Sequence, residues 1–306
     1  MKKTLKYFLP ILCMIAALAA LTLAAAAAVD GDVFAAAAAA ATETGSCGTD
    51  LTYTFDTETG VLTISGTGAM TDFYRDTPAP WSSYAADVRT AVLEEGVTTL
   101  GNSALLNCSS LESLSLPTTL TRIGAGSLPS ESPLRNSVTK GEICVDGWLM
   151  DYNGTVPKDL CLSEGICGMA DAIFIWNSVE TAVLPRSLRY IGGYAFAYSN
   201  KLTDVTILNP DCMFTHAAGA LPFPQSTTVH GYKGSTAEAY ASTYGNPFAA
   251  LEPAVGDADG DGNCTIRDAL LTTQALLDGK FDAVMDMDGD GKLSLADVIL
   301  LLRAVR

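Results

Sequence analysis

Basic residues are scarce in this chain of 306 residues, which carries 18 Lys and Arg against 34 Asp and Glu. The resulting net charge of −16 repels nucleic acid and anionic lipid headgroups, so neither is expected as a partner. Long apolar runs are scarce as well, because only the N-terminus carries one. We therefore expect no membrane span in the mature protein.

Histidine is rarer than any other residue type with acid–base chemistry near neutral pH, since only His216 and His230 occur. The motifs Gly-x-Ser-x-Gly and His-Glu-x-x-His are absent, and so is a phosphate-binding glycine loop with its lysine. Among the many acids, no pair is marked out for glycoside cleavage. We predict no catalytic residues. A chain that acts on plant polysaccharide or peptide through an unrecognised active site is the alternative.

No Cys-x-x-Cys pair occurs, and with two histidines available a structural zinc site is not expected. Cys13 lies in the N-terminal apolar run, which leaves seven cysteines in the mature chain. An odd number leaves at least one thiol free or paired between chains. The favoured interpretation is that buried thiols act as small apolar residues.

The N-terminus has the features of a secretory signal peptide over residues 1–28. Lys2, Lys3 and Lys6 precede the apolar run, which ends in the small residues of 24–28. A retained membrane anchor is the alternative. Residues 29–45 contain a second alanine run and are predicted to be a low-complexity spacer. The expected location is secreted or extracellular, with attachment to the cell surface through a scaffold as a further option.

Residues 46–85 are predicted to form an N-terminal β segment. Polar and apolar residues alternate in Leu51–Phe55 and again in Val61–Ser65, and Thr57–Gly60 supplies a turn between them. Two alternating runs joined by a short glycine-containing turn indicate a β-hairpin.

The next stretch repeats itself at an interval of 22 or 23 residues. The segments that align are 93–101, 116–124, 162–170 and 184–192, and a degenerate fifth copy begins at Ile207. Three apolar positions recur, to within one residue: Leu100, Ile123, Met169 and Ile191; Leu105, Leu128, Phe174 and Phe196; Leu111, Leu134, Val179 and Leu202. One such unit cannot bury its own apolar side, whereas stacked units form a continuous core. The pattern predicts a β-rich solenoid.

Several segments of this region resemble the BspA-like leucine-rich repeat proteins, which are common among secreted and surface proteins of gut and oral bacteria. The segments are Ser65–Met70, Ala79–Ser82, Ile191–Phe196, Lys201–Ile207 and Val229–Tyr240. The resemblance implies a leucine-rich repeat solenoid over 86–251, capped by the N-terminal hairpin. It also implies a role in binding or adhesion, with a protein or a glycan as ligand.

Residues 136–161 interrupt the repeats, and Ile143–Met150 looks like a hairpin inserted between coils. Trp81, Trp148 and Trp176 could stack on sugars, but packing in the core or in the hairpin is the favoured interpretation.

Two acidic loops of twelve residues, 257–268 and 286–297, lie 29 residues apart near the C-terminus. Each has aspartate at positions 1, 3, 5 and 12 and glycine at position 6, where Gly262 and Gly291 permit a sharp turn. A hard dication needs six to eight oxygen ligands, which this spacing can supply. We predict two calcium ions held by Asp257, Asp259, Asp261, Asn263, Thr265, Asp268, Asp286, Asp288, Asp290, Lys292, Ser294 and Asp297, of which Asn263 and Lys292 would use backbone carbonyls.

An apolar helical segment follows each loop, and Pro253–Gly256 precedes the first loop in place of a helix. This loop-then-helix duplication over 253–306 resembles the dockerin module of bacterial multi-enzyme complexes. The resemblance implies a small all-α domain built from two EF-hand-like calcium loops, each followed by a helix. Calcium is expected to fold the module, since so small a core is marginal on its own.

The dockerin resemblance also implies a partner, the cohesin domain of a cellulosome-type scaffolding protein. The residues expected to read that partner are Ile266, Arg267, Thr273, Gln274, Leu295, Ala296, Leu302 and Arg303. Ile266 and Leu295 could instead belong to the core of the module. These residues differ chemically between the two halves, which argues against a symmetric, two-way binding mode. The expected function is that of a non-catalytic binding, adhesion or structural component, anchored by its dockerin in a complex that degrades polysaccharide. Repeats that act only as a spacer are another alternative.

Overall fold

The computed structural model describes residues 41–215, 219–252, 254–259 and 263–305. The predicted signal peptide at 1–28 and most of the spacer at 29–45 lie outside the described residues, as do His216 and Asp261. Within the described part of the chain, no helix has the length and apolar character needed to cross a membrane.

Short strands make up most of the chain as far as residue 250. They are β1 Thr42–Ser46, β2 Leu51–Asp56, β3 Val61–Gly66, β4 Gly68–Ala69, β5 Thr90–Leu93, β6 Val97–Leu100, β7 Ser113–Ser115, β8 Arg122–Ile123, β9 Gly141–Val145, β10 Trp148–Asn153, β11 Asp159–Cys161, β12 Gly168–Met169, β13 Thr181–Leu184, β14 Tyr190–Gly192, β15 Asp204–Ile207, β16 Met213–Thr215, β17 Thr228–Gly231 and β18 Phe248–Ala250. The helices are α1 Pro133–Asn136, α2 Thr236–Tyr244, α3 Ile266–Leu277 and α4 Leu295–Ala304, with 3-10 turns at Ala85–Asp87 and Ala283–Met285.

The predicted N-terminal hairpin is present, since β2 and β3 pair antiparallel with Thr54 opposite Thr63. β1 adds a further antiparallel strand to β2. Residues 42–45 therefore belong to this sheet rather than to the predicted spacer at 29–45. β3 then pairs parallel with β5, so the hairpin caps the first coil.

The coils stack as parallel strands on two sides of the solenoid. One side carries the sheet β1-β2-β3-β5-β7 and, after the interruption, the sheet β11-β13-β15-β17-β18. The other side carries the sheet β4-β6-β8 and then the sheet β16-β14-β12-β10-β9. Each coil thus contributes one short strand to each side, which agrees with the predicted solenoid.

The recurring apolar positions form the core, because they face inward between the two sides. Leu100 lies opposite Ile123, and Met169 lies opposite Ile191 in the parallel pairs. All four of these side chains are fully buried, as are Phe174 and Phe196 in the connecting turns. Leu134 is the exception, since it lies in the short helix α1 and is only partly buried.

A third side consists of turns, and backbone hydrogen bonds join these turns from coil to coil. The N–H groups of Ala172, Phe174 and Trp176 donate to carbonyl oxygens of the next coil at 2.7–3.0 Å. Every second residue donates, as in a pair of parallel strands, although the backbone on this side is made of turns. The spacing between consecutive coils is therefore fixed on all three sides.

The predicted inserted hairpin is also present. β9 and β10 pair antiparallel around Asp146 and Gly147, which both have positive φ. β10 continues the parallel stack, because Trp148 lies opposite Gly168. The hairpin is therefore part of the solenoid wall and not a separate excursion.

An ion network joins the coils on either side of the interruption. The guanidinium of Arg122 contacts Asp72 at 3.1 Å and Asp171 at 2.7 Å, and the Asp171 N–H donates to the Ile123 carbonyl at 2.8 Å. Burial raises the pKa of Asp171, and the charge of Arg122 offsets part of that rise. The coil before the interruption is thereby in direct contact with the coil after it.

The described cysteines of the solenoid are free thiols: Cys47, Cys108, Cys144, Cys161, Cys167 and Cys212. Cys47, Cys108 and Cys212 are buried, as expected of thiols that act as small apolar residues, whereas Cys144 and Cys161 are exposed. Burial raises the pKa of Cys108 and of Cys212 to about 12, so both stay protonated at neutral pH.

The core should be most sensitive where aromatic rings stack between coils. Phe196 is fully buried, 5.0 Å from the ring centre of Phe174 and 5.9 Å from that of Phe223. Phe196→Ala should lower the free energy of unfolding by about 3–5 kcal/mol, as a shift in the urea midpoint would show. Tyr74→Ala, at an exposed aromatic residue, is the control and should cost less than about 0.5 kcal/mol. Equal shifts for the two variants would contradict this assignment of the core.

Candidate metal centre in the C-terminal loops

The first acidic loop brings three of its predicted ligands together. Asp257, Asp259 and Asp268 each place one carboxylate oxygen within 4.8 Å of the others. Oxygens at this spacing can share one ion, since calcium–oxygen distances are about 2.3–2.6 Å. The side chains of Asp257 and Asp268 are buried, so their charges face each other with little water between them. Asp261 and Gly262 lie outside the described residues, so two predicted positions of this loop are not placed.

The second loop gathers Asp286, Asp288 and Asp290 within the same 4.8 Å. The backbone wraps around Asp286, whose carboxylate accepts the N–H groups of Gly289, Asp290 and Gly291 at 2.8–3.2 Å. Gly291 has φ +80°, the left-handed conformation expected for position 6. Asp297 is not part of this acidic triplet, and it accepts the N–H of Met287 at 2.9 Å.

The residues at positions 9 and 12 start the two helices. Thr265 and Ser294 are the N-caps of α3 and α4, and their hydroxyls accept the N–H groups of Arg267 and Ala296. Asp268 and Asp297 complete capping boxes by accepting the N–H and hydroxyl of the same N-cap residues. The acids that end the loops therefore also fix the first turn of each helix.

Asp268 and Asp297 are held in the charged form. Burial raises the pKa of each carboxyl, but hydrogen bonds from the N-cap residue and from the loop backbone outweigh it. The net pKa of each therefore lies below the ordinary aspartate value. Both groups are ready to bind a cation at neutral pH without first losing a proton.

Asn263 and Lys292, the two residues predicted to use backbone carbonyls, take part in hydrogen bonds within the protein. Lys292 is exposed, and its N–H donates to Asp290 at 2.8 Å. The side chain of Asn263 accepts a hydrogen bond from Arg186 of the solenoid at 3.3 Å. Arg267 forms an ion pair with Asp259 at 3.0 Å, a contact that sequence reasoning missed. A bound dication would compete with this guanidinium for the Asp259 carboxylate.

The predicted partner-reading residues lie mostly on the outside of the two helices. Ile266 is 57% and Leu295 is 63% exposed, so neither belongs to the core. Thr273 is half-buried, and the other predicted residues are exposed: Arg267, Gln274, Ala296, Leu302 and Arg303. Sequence reasoning missed further exposed apolar residues: Leu270, Leu271, Leu277, Phe281 and Ile299. The spacing of 266 and 270, repeated 29 residues later at 295 and 299, was the signal that pointed to Leu270 and Ile299.

The three tryptophans separate into two groups. Trp81 and Trp148 are buried in the core, as the favoured interpretation predicted, and Trp148 stacks on Tyr190 at 5.6 Å. Trp176 is 70% exposed and stacks on Tyr198, so it does not belong to the core. His230 lies 2.8 Å from Asp204 between neighbouring coils, which gives it a partner within the wall of the solenoid.

Comparison with protein families supports the interpretation of the coils. Residues 83–143 and 158–213 match the model of the BspA type leucine rich repeat region, in six copies. The chain therefore contains a BspA-type leucine-rich repeat region, with one more copy than the five units expected from the sequence. The gap between the two matched ranges falls on the inserted hairpin.

Among solved structures, the chain is similar to a leucine-rich repeat protein from Eubacterium ventriosum ATCC 27560. The identity is 21% and the TM-score is 0.34, over 55% of this chain and 44% of that one, so this chain covers less than half of that protein. No curated protein matches the chain. The family model matches residues of the coils and does not extend to the acidic loops.

The capping role of Ser294 can be tested by comparing two substitutions. Ser294→Ala removes the side-chain oxygen that accepts the Ala296 N–H in the first turn of α4. It should lower the free energy of unfolding by about 1 kcal/mol, whereas Ser294→Gly should lower it by only a few tenths of a kcal/mol. The measurement is urea unfolding followed by helical circular dichroism in saturating calcium, where α4 is expected to be ordered and both substitutions remove the same hydroxyl. Equal costs for the two substitutions would show that the cap is not the reason for the loss.

Proposed function

We propose that this chain is a secreted, non-catalytic binding component that docks onto a cohesin domain of a scaffolding protein through a calcium-ordered C-terminal module. The leucine-rich repeat region would present the ligand-binding surface, and the tail would fix its place in a larger complex. One observation carries the proposal: two acidic loops in the same frame, each followed by a helix that exposes an apolar stripe.

Electrostatic repulsion supports the calcium part of the proposal. Three carboxylates within 4.8 Å of one another repel strongly unless a cation lies between them. Each loop has a triplet, at positions 1, 3 and 12 of the first loop and at positions 1, 3 and 5 of the second, and two such clusters in one duplicated sequence frame are not expected by accident. The small core of the tail supports the same conclusion, because the buried apolar residues among its described part are Ala269, Ala275, Val298 and Leu301.

The exposed stripes support the docking part. Leu295, Ile299 and Leu302 follow one face of α4, and Ile266 and Leu270 follow the corresponding face of α3. Apolar side chains grouped on one face of a soluble module mark a protein interaction surface. The stripe on α4 is the more continuous one, because the position of Leu302 is taken by Thr273 in α3. We therefore propose one preferred orientation on the partner, with α4 at its centre.

The proposed calcium sites can be counted directly. Isothermal titration of the full chain with calcium should show two ions bound, and Asp257→Ala or Asp286→Ala should each remove one. Each site would stabilise the tail by about 2.7 kcal/mol when calcium is at a hundredfold excess over its dissociation constant. Asp278→Ala, outside both loops, is the matched control and should leave the count at two. No uptake by the wild type would refute the assignment of the metal.

The proposed docking surface can be tested against a panel of cohesin domains by surface plasmon resonance. The wild type should bind at least one of them in calcium and none in excess chelator. Leu295→Asp should weaken binding at least tenfold while two calcium ions still bind, because it places a charge in the centre of an apolar contact. Leu106→Asp, at an exposed leucine of the solenoid, is the control. Binding that survives chelation, or an absence of binding to the whole panel, would contradict the proposal.

A further inference from the structure

Two aromatic side chains project from the turn side of neighbouring coils. Trp176 is 70% and Tyr198 is 53% exposed, and their rings stack at 4.4 Å between centres with an angle of 11°. Both occupy the position two residues after a buried phenylalanine, Phe174 in one coil and Phe196 in the next. Large aromatic residues bury more apolar area than any other type, so a solvent-facing pair is informative.

The backbone of both residues is strained. Trp176 and Tyr198 have φ +59°, a left-handed conformation that glycine adopts freely and that bulky residues rarely adopt. At Trp176 the neighbouring coil holds this conformation, since the Trp176 N–H donates to the Ala197 carbonyl at 3.0 Å and the Asn177 N–H donates to the buried hydroxyl of Ser199 at 3.0 Å. Strain maintained by surrounding hydrogen bonds is typical of binding sites, where it orients side chains in advance.

Among the described residues, the turn segments that carry and adjoin the pair are uncharged, in a chain of net charge −16. Residues 172–178, 193–200 and 219–228 contain no Asp, Glu, Lys, Arg or His. A shallow pocket of about 240 Å³ opens beside Tyr198, and its lining includes Tyr194, Leu221 and the amide of Asn200. The site thus combines flat apolar faces with a polar group and lacks a charge that would select an ion.

We propose that the Trp176–Tyr198 stack and the adjoining pocket bind an uncharged polysaccharide. A pyranose ring has one face of C–H groups, which packs on an aromatic ring, and hydroxyls at its edge, which hydrogen-bond to amides such as that of Asn200. A cationic group would also be attracted to an aromatic face, but this surface has no carboxylate to pair with it. The coils repeat along the solenoid axis, so a chain of sugars can follow the stack into the pocket.

The test uses the full chain and soluble neutral polysaccharides, namely xyloglucan, mixed-linkage β-glucan and galactomannan, with polygalacturonate as the charged comparison. Affinity electrophoresis measures binding, and acrylamide quenching reports on Trp176, since Trp81 and Trp148 are buried. At least one neutral polysaccharide should retard the protein and protect its fluorescence from quenching. Because the site lies outside the tail, binding should persist in excess chelator, which separates this proposal from calcium-dependent docking.

The glycine variants distinguish a binding role from a structural one. Trp176→Gly and Tyr198→Gly should each weaken binding at least tenfold while the melting temperature stays within a few degrees of the wild type, because glycine relieves the strain at these positions. Tyr74→Ala, at another exposed aromatic residue, should bind as the wild type does. If a glycine variant failed to fold, the protection of the wild-type fluorescence would still decide the matter.

The proposal is overturned by any of three results. These are no retardation by any neutral polysaccharide, unchanged affinity of a folded Trp176→Gly variant, or protection of the fluorescence only by polygalacturonate or by a protein partner.

Discussion

The burial of apolar side chains between successive coils is the interaction on which the rest of this structure depends. A coil of 22 or 23 residues has one apolar side and no partner within itself, so it is stable only when another coil covers it. Leu100, Ile123, Met169 and Ile191 are each fully buried by such stacking. Parallel hydrogen bonds on two sides and turn-to-turn bonds on the third keep the coils in one register.

A stack of this kind ends in exposed strand edges and exposed apolar surface, and both ends of this solenoid are covered. At the start, the antiparallel strands β1–β3 take the place of further coils. At the end, α2 packs against β17 and β18 and buries Ala237, Tyr240 and Ala241. Such caps limit pairing with other chains through open edges. The outer surfaces of the coils are thereby left to vary, and the Trp176–Tyr198 pair is one such variation.

Much of this fold could be predicted from the sequence, because the repeat interval and the recurring apolar positions are properties of single residues. Contacts between coils were harder to predict. Glu95 and Glu164 occupy equivalent places before a glycine, and each accepts backbone N–H groups from the turn of the next coil. These two positions in the sequence did not by themselves predict that glutamates would accept hydrogen bonds from the following coil. Likewise, the left-handed backbone at Trp176 depends on the neighbouring coil and leaves no mark in the local sequence.

The candidate metal centre could also be predicted only in part from the sequence. The spacing of aspartates in 257–268 and 286–297 indicated that positions 1, 3, 5 and 12 of each loop could face one ion, and three carboxylates of each loop do lie close together. The spacing did not predict that Asp297 would be engaged mainly by the N-cap and loop backbone of α4, apart from the triplet of Asp286, Asp288 and Asp290. The carboxylate oxygens that cap the helices are among those that could bind an ion. Which oxygens would bind it depends on the conformation of the whole loop.

The coils are held by apolar burial, whereas the tail is proposed to be ordered by calcium. Amide hydrogen exchange on the full chain, followed by mass spectrometry with calcium and then with excess chelator, tests this division most directly. The account predicts that β5–β8 and β12–β17 stay protected in both conditions, while α3 and α4 lose protection when calcium is removed. Equal protection of α3 and α4 in both conditions, or loosening of the coils along with the tail, would contradict it.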